Sequence, residues 1–183
     1  NLCFGPLVSA LAAGNTAIIK PSEMMPNVSA VMAQIIREVF PAHEVALFEG
    51  GLPTAETLLS LPFDHIFFTG SPMVGKVVMA AAARHLTSVT LELGGKSPTI
   101  VDESANVRVA AETLMWGKFL NGGQTCVAPD YIYVHESVKS EFINACRDVI
   151  QTRYGHSAAE QQQSQDLTRI VNPRHTQRIA GLL

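Results

Sequence analysis

The chain has 183 residues, 47% of them hydrophobic and 16% charged, and its 13 Lys and Arg against 16 Asp and Glu give a formal charge of −3. This is the profile of a globular chain with a core to bury, and it excludes a disordered polymer. No basic cluster is available to neutralise a phosphate backbone, so nucleic acid is excluded as a partner. Every apolar stretch is broken by Gly, Pro or charge well short of the roughly 20 residues a membrane helix needs, so no membrane segment is expected.

Taken in order, the chain opens Asn1-Leu2-Cys3-Phe4-Gly5, without Met, and is expected to begin mid-protein. Thr16–Lys20 reads as a buried strand. After Pro26, the residues Val28, Val31, Met32, Ile35, Ile36, Val39 and Phe40 recur at helical spacing and predict a helix whose whole apolar stripe is core. Val45–Phe48, His65–Thr69 and Ser88–Leu91 read as further strands, with helices in the gaps. Pro98–Val101 and Tyr131–Val134 predict two more, flanking a helix from Val107 to Phe119 on whose apolar side Trp116 is expected to pack into the core. A helix is predicted from Ser137 to Arg153, then an exposed connection or frayed helix over Ala158–Asp166. A last apolar-periodic stretch runs from Ile170 to Leu183, without a residue that would end it. Short β-branched runs alternating with amphipathic stretches predict an α/β fold built of βαβ units around a parallel sheet.

The three cysteines, Cys3, Cys126 and Cys146, are an odd number without Cys-x-x-Cys spacing, which favours a reducing compartment and a cytoplasmic location. Six histidines show no metal-ligand spacing, so no metal is expected. Cys3 and Cys146 lie in apolar or helical settings and read as small buried hydrophobes. Cys126 differs, because it ends the run Phe119-Leu120-Asn121-Gly122-Gly123-Gln124-Thr125-Cys126 and is preceded by a second unusual run, Leu91-Glu92-Leu93-Gly94-Gly95-Lys96-Ser97. A thiolate can attack a carbonyl and later leave, and a nearby carboxylate can take a proton from the water that clears the thioester. The neighbouring glycines leave room for a substrate or a flat cofactor ring.

A third run, Thr69-Gly70-Ser71-Pro72-Met73-Val74-Gly75-Lys76, sits between a strand and a helix, where backbone amides hold phosphate. It nearly fits a P-loop, but Val77 stands where the Mg²⁺-binding hydroxyl belongs. It departs from the ordinary dinucleotide fingerprint by Pro72 in place of the second glycine. As plain helix geometry, Ser71 is an N-cap and Pro72 the first helical residue. Ile19-Lys20-Pro21-Ser22-Glu23 places a cation and a carboxylate at a strand end, where a parallel sheet meets its ligand.

The Glu92 and Cys126 runs, in that order and separation, resemble the catalytic segments of the aldehyde dehydrogenase superfamily. The residues from His85 to Glu92 and from Gln124 to Tyr131 are similar to its class 3 branch, which includes fatty, aromatic and bacterial coniferyl aldehyde dehydrogenases. The resemblance covers essentially the whole chain and implies the central part of a longer protein. It implies a Rossmann-like coenzyme-binding domain over 1–91, with 92–183 opening the α/β catalytic domain. By the same resemblance Cys126 is the nucleophile and Glu92 the base. The Cys126 backbone N–H forms part of the oxyanion hole, and Lys20, Glu23, Gly70, Ser71, Gly75 and Gly94 contact the coenzyme. Lys20 and Glu23 fall at the adenosine ribose and Ser71 at the pyrophosphate. A carboxylate at Glu23 should repel a 2′-phosphate and favour NAD, with NADP left open by the branch. The implied activity is non-acylating oxidation of an aldehyde to an acid by a homodimer, with coniferyl, other aromatic and long-chain aliphatic aldehydes all open. The family's oxyanion-hole asparagine falls upstream of Asn1, and its nicotinamide-ribose element is also absent, so the 183 residues alone are expected to be inactive. The alternatives are a P-loop nucleotide-binding protein and a non-catalytic truncated relative.

Overall fold

A computed structural model describes residues 2–182; the readings that rested on Asn1 and Leu183 lie outside these described residues. The chain divides into two compact units, Asn1–Leu93 and Gly94–Leu183. Both are α/β.

The first unit runs α1 (Phe4–Ala12), β1 (Ala17–Ile19), α2 (Pro26–Val39), β2 (Val45–Leu47), α3 (Leu52–Leu59), β3 (His65–Thr69), α4 (Pro72–Ala82) and β4 (Ser88–Glu92). β1 pairs with β2 and β3 with β4, both in parallel, so β1–α2–β2 and β3–α4–β4 are each a βαβ unit. The strands pair in twos and form no continuous parallel sheet among the described residues. Leu7, Ile19, Ile36 and Val45 bring α1, β1, α2 and β2 together in one buried cluster.

Helix α2 starts on Pro26, whose fixed φ suits the first helical position. It stops at Phe40, which is extended (φ −124°, ψ 140°) because Pro41 follows. Only part of the predicted stripe faces inward, with Ile36 buried and Phe40 packed against the same cluster. Ser29, Ala33 and Ile36 are buried, whereas Val28, Val31, Ile35 and Val39 are 51, 57, 41 and 62% exposed. The small side chains of Ser29 and Ala33 let the helix approach its unit closely. The Ser29 hydroxyl meets its polar requirement by donating to the Ser22 carbonyl at 3.0 Å.

The second unit runs β5 (Ser97–Val101), α5 (Val107–Phe119), β6 (Pro129–Val134), α6 (Glu136–Tyr154), α7 (Ala158–Gln163) and α8 (Pro173–Ala180). β5 and β6 are again parallel around a crossover helix. Their register passes from Ser97–Pro129 to Pro98–Tyr131, which leaves Asp130 as an extra residue at the start of β6. Asn106 caps α5 by accepting the Val109 N–H at 3.1 Å. Val101, Val107, Ala111, Met115, Phe142, Ala145 and Val149 form the core between β5, α5 and α6. The stretch expected to be a connection or frayed helix is α7, capped by Ser157, which accepts the Glu160 N–H. The last predicted stretch becomes helical only at Pro173, after the Asn172 cap.

Candidate functional site

Lys20 leaves the end of β1 with its ammonium group held by three oxygens: the carbonyls of Pro21 and Gly50, each at 2.8 Å, and Glu23 Oε2 at 3.3 Å. Gly50 follows β2, so this one side chain ties together the ends of two paired strands. The turn is organised by Ser22, whose hydroxyl accepts the Met24 N–H and whose carbonyl accepts the Met25 N–H. A hydrogen bond from its own main-chain N–H holds the Glu23 carboxyl below the ordinary carboxylate range; slight burial opposes this and Lys20 reinforces it. Lys20 and Glu23 are thus brought together as the sequence predicted, and the structure adds the Gly50 carbonyl as their anchor. The Gly50-Gly51 pair after β2 was the available signal for it.

The second cluster lies where β3 and β4 end side by side. Thr69 is in register with Glu92, and the Gly70 N–H donates to the Glu92 carbonyl at 3.0 Å. Ser71 caps α4, accepting the Val74 N–H at 3.3 Å, and Pro72 is the first helical residue. Gly70, Ser71 and the exposed Glu92 side chain therefore share one strand-end edge. Gly75 serves packing, because a Cβ there would lie 3.0 Å from Leu93 Cδ2. Helix α4 already spans Pro72–Ala82, so Gly75 and Lys76 sit inside a helix and cannot wrap a phosphate as P-loop residues do. The P-loop alternative fails on that geometry.

The Cys126 segment follows α5. Asn121, Gly122 and Gly123 all adopt positive φ (53°, 63° and 76°), a path that Gly follows freely and Asn tolerates. The Asn121 side-chain amide braces the path by donating to the Gln124 carbonyl at 3.2 Å. Cys126 then sits exposed on a turn closed by the Ala128 N–H bond to the Thr125 carbonyl at 3.1 Å. Cys3 and Cys146 are half-buried against the two cores, and burial raises both thiol pKa values, as their hydrophobic reading implied.

Two glycines beside Glu92 behave differently. A Cβ at Gly94 would meet no described atom within 4 Å, so no contact among the described residues requires glycine there. A Cβ at Gly95 would lie 2.6 Å from the Cys126 carbonyl oxygen, so its lack of a side chain lets the Cys126 turn approach. Nothing in the local sequence shows this, since the partner is far along the chain. Gly95→Ala must displace main chain, at a cost of about 1–3 kcal/mol. In the full-length protein it is expected to lower turnover by roughly tenfold or more while coenzyme binding is kept, as stopped-flow and coenzyme titration would show.

Trp116 corrects another expectation. It is 54% exposed and takes no place in the core. It lines an open recess with Phe119, Leu120, Asn121, Tyr154 and Thr168, directly before the Cys126 turn. Helix α5 turns Ala111 and Met115 inward instead. Among the described residues no helix is long and apolar enough to cross a membrane.

The profile of the aldehyde dehydrogenase family matches residues 1–183. The 4,4'-diaponeurosporen-aldehyde dehydrogenase of Staphylococcus aureus (strain NCTC 8325 / PS 47) is 55% identical over 183 residues, which is 100% of this chain and 39% of that protein. A dimeric NADP-preferring aldehyde dehydrogenase of Rattus norvegicus is 46% identical over 183 residues, 100% of this chain and 40% of its own length. Among solved structures, the substrate-bound state of Staphylococcus aureus AldH superposes with a TM-score of 0.86 at 54% identity, covering 97% of this chain and 38% of that one. The chain thus spans about two-fifths of the length of the curated relatives it matches.

Proposed function

The chain belongs to the aldehyde dehydrogenase family, and from that premise we propose that the protein containing it oxidises an aldehyde to the carboxylic acid through Cys126 and Glu92. The observation that carries this reading is the exposed Cys126 turn, for which Gly95 makes room. The Cys126 thiolate adds to the aldehyde carbon, and the turn leaves its own N–H to receive the developing oxyanion. NAD or NADP, held by the residues of the first unit, would supply the hydride acceptor that this carbon needs. The carbon is then a thioester. Glu92 takes a proton from water, the hydroxide adds to the thioester, and the Cys126 thiolate departs as the acid is released. Aldehyde, water and oxidised coenzyme become carboxylate, reduced coenzyme and protons.

The residues present suit a dinucleotide. Glu23, held in place by the Lys20 ammonium, offers a fixed carboxylate for hydroxyls. The capped N-terminus of α4 offers a main-chain donor for phosphate at Ser71, beside Gly70, whose own N–H is bonded to the Glu92 carbonyl, with Gly75 letting the helix pack closely behind them. The open space over Gly94 suits a flat ring. We assign the coenzyme-binding role to residues 1–91 and the catalytic role to 92–183. The exposed Trp116 supports a bulky apolar aldehyde, aromatic or long-chain, as substrate. The three free cysteines support a cytoplasmic setting, and the dimeric rat relative supports a homodimer.

The test is to supply the full-length protein with coniferyl, benzyl and long-chain aldehydes and either coenzyme. One carboxylate per reduced nicotinamide, without coenzyme A, is expected. Coenzyme reduction that required coenzyme A, or none with any aldehyde, would overturn the reading. Glu23→Gln is expected to raise the NADP-to-NAD preference roughly fivefold, which corresponds to the ~1 kcal/mol between like charges at contact in water.

A further inference from the structure

Gln124 lies two residues before the proposed nucleophile, and both polar atoms of its side-chain amide are hydrogen-bonded. Nε2 donates to the Asn121 carbonyl at 2.8 Å and to the Arg169 carbonyl at 3.1 Å, while Oε1 accepts the Val171 N–H at 3.0 Å. A carbonyl at one residue and an N–H two residues later is what one strand offers a neighbouring strand, so the amide acts as a single strand residue laid against 169–171. The far side of that segment is also fastened. The Arg169 guanidinium donates to the carbonyls of Gln161, Gln162 and Ser164 at the end of α7. On the near side, a Cβ at Gly122 would lie 2.9 Å from the Thr168 carbonyl oxygen, so the positive-φ path and the 168–171 segment are in direct contact. The result is a continuous run of polar contacts from α7 through Arg169 and Gln124 to the turn that carries Cys126.

We propose that Gln124 is a positioning residue for Cys126, fixing the height and direction of the nucleophile turn by docking it on residues 169–171. The proposal rests on the reading of Cys126 as nucleophile. Both Nε2 protons of Gln124 are taken by main-chain carbonyls, so its side chain has no donor left for substrate and acts through the turn. The substitution that best separates this role is Gln124→Glu, which keeps length and shape but replaces two donors with an acceptor facing two carbonyl oxygens. Gln124→Met removes all three bonds without that repulsion, and Gln124→Asn keeps the amide one methylene too short.

The experiment uses the full-length protein and three readouts: steady-state turnover, coenzyme affinity, and the pH profile of Cys126 alkylation by iodoacetamide, with the modified residue identified by mass spectrometry. Gln124→Glu and Gln124→Met are expected to lower kcat by roughly ten- to a hundredfold, the scale of a misplaced reacting group. KM is expected to change less, coenzyme affinity to hold within about twofold, and the alkylation profile to be displaced. Gln124→Asn should fall between them and the parent. Unchanged kcat and unchanged alkylation in a folded Gln124→Glu protein would overturn the proposal, as would an equal loss of turnover and coenzyme binding in all three variants. If Gln124→Met does not fold, Gln124→Glu decides. Alkylation of Cys126 needs no aldehyde oxidation, so a displaced profile would stand even if the protein proved to catalyse something else.

Discussion

Full-length protein carrying Cys126→Ala is expected to lose aldehyde oxidation by roughly 10⁴-fold or more, the scale seen when a covalent nucleophile is removed from an intact site, and to bind coenzyme as before. The substitution is mild structurally. The turn around Cys126 is closed by the main-chain bond from Ala128 to Thr125, which alanine leaves in place. Gly95 still faces a backbone carbonyl at 126, and the side chain being lost is exposed, so no cavity forms. Lys20, Glu23, Gly70 and Ser71 belong to the other compact unit and are untouched. Unchanged turnover with coenzyme binding retained would remove Cys126 from the chemistry. Coenzyme titration by fluorescence, alongside a turnover assay, separates the two outcomes.

The second large effect is kinetic in form. Glu92→Gln should release a burst of about one reduced nicotinamide per site, followed by a steady state slower by roughly 10²–10⁴-fold, the usual contribution of a general base. Glutamine keeps the size of the side chain and leaves the main-chain link from Gly70 to the Glu92 carbonyl intact. The register of Thr69 with residue 92 should therefore survive. What is lost is the acceptor for the water proton, so thioester formation proceeds and its hydrolysis stalls. Mass spectrometry should find the acyl group on Cys126 during the slow phase. Normal steady-state turnover, or a slow first turnover without a burst, would assign water activation to another group.

Much of the architecture could be read from the sequence because its signals are local. Helix Val107–Phe119 and strand His65–Thr69 appear with the predicted bounds, the first set by the Asn106 cap and its apolar spacing, the second by a short apolar run that ends at the Gly70 turn. Ser71 could be read as a cap because capping depends on residues three apart. The same reasoning held only in part on α2, where two stripes lie side by side and share Ile36. Val28, Val31, Ile35 and Val39 are the more hydrophobic row, yet Ser29, Ala33 and Ile36 are the buried one. Periodicity measures how apolar a face is, and close approach to a strand pair selects for how small it is. Trp116 failed for a related reason, since α5 offers smaller inward residues that pack better against α6.

In the candidate site, the residues with chemical side chains could be named from the sequence, and those defined by distant partners could not. Gly95 looked like any member of a glycine pair, and only the Cys126 carbonyl makes it differ from Gly94. Gln124 was part of a recognisable run, but its partners Arg169 and Val171 lie 45 and 47 residues away. No short-range pattern encodes such a contact.

Each of the three sheets has two strands among the described residues. Every strand therefore keeps one row of main-chain N–H and C=O groups outside its ladder, and such rows are templates for another chain. A two-stranded parallel sheet is also marginal without further strands or a covering layer. Expression of this stretch by itself is thus governed by aggregation: the conditions that keep it soluble are those that keep its strand edges from finding one another.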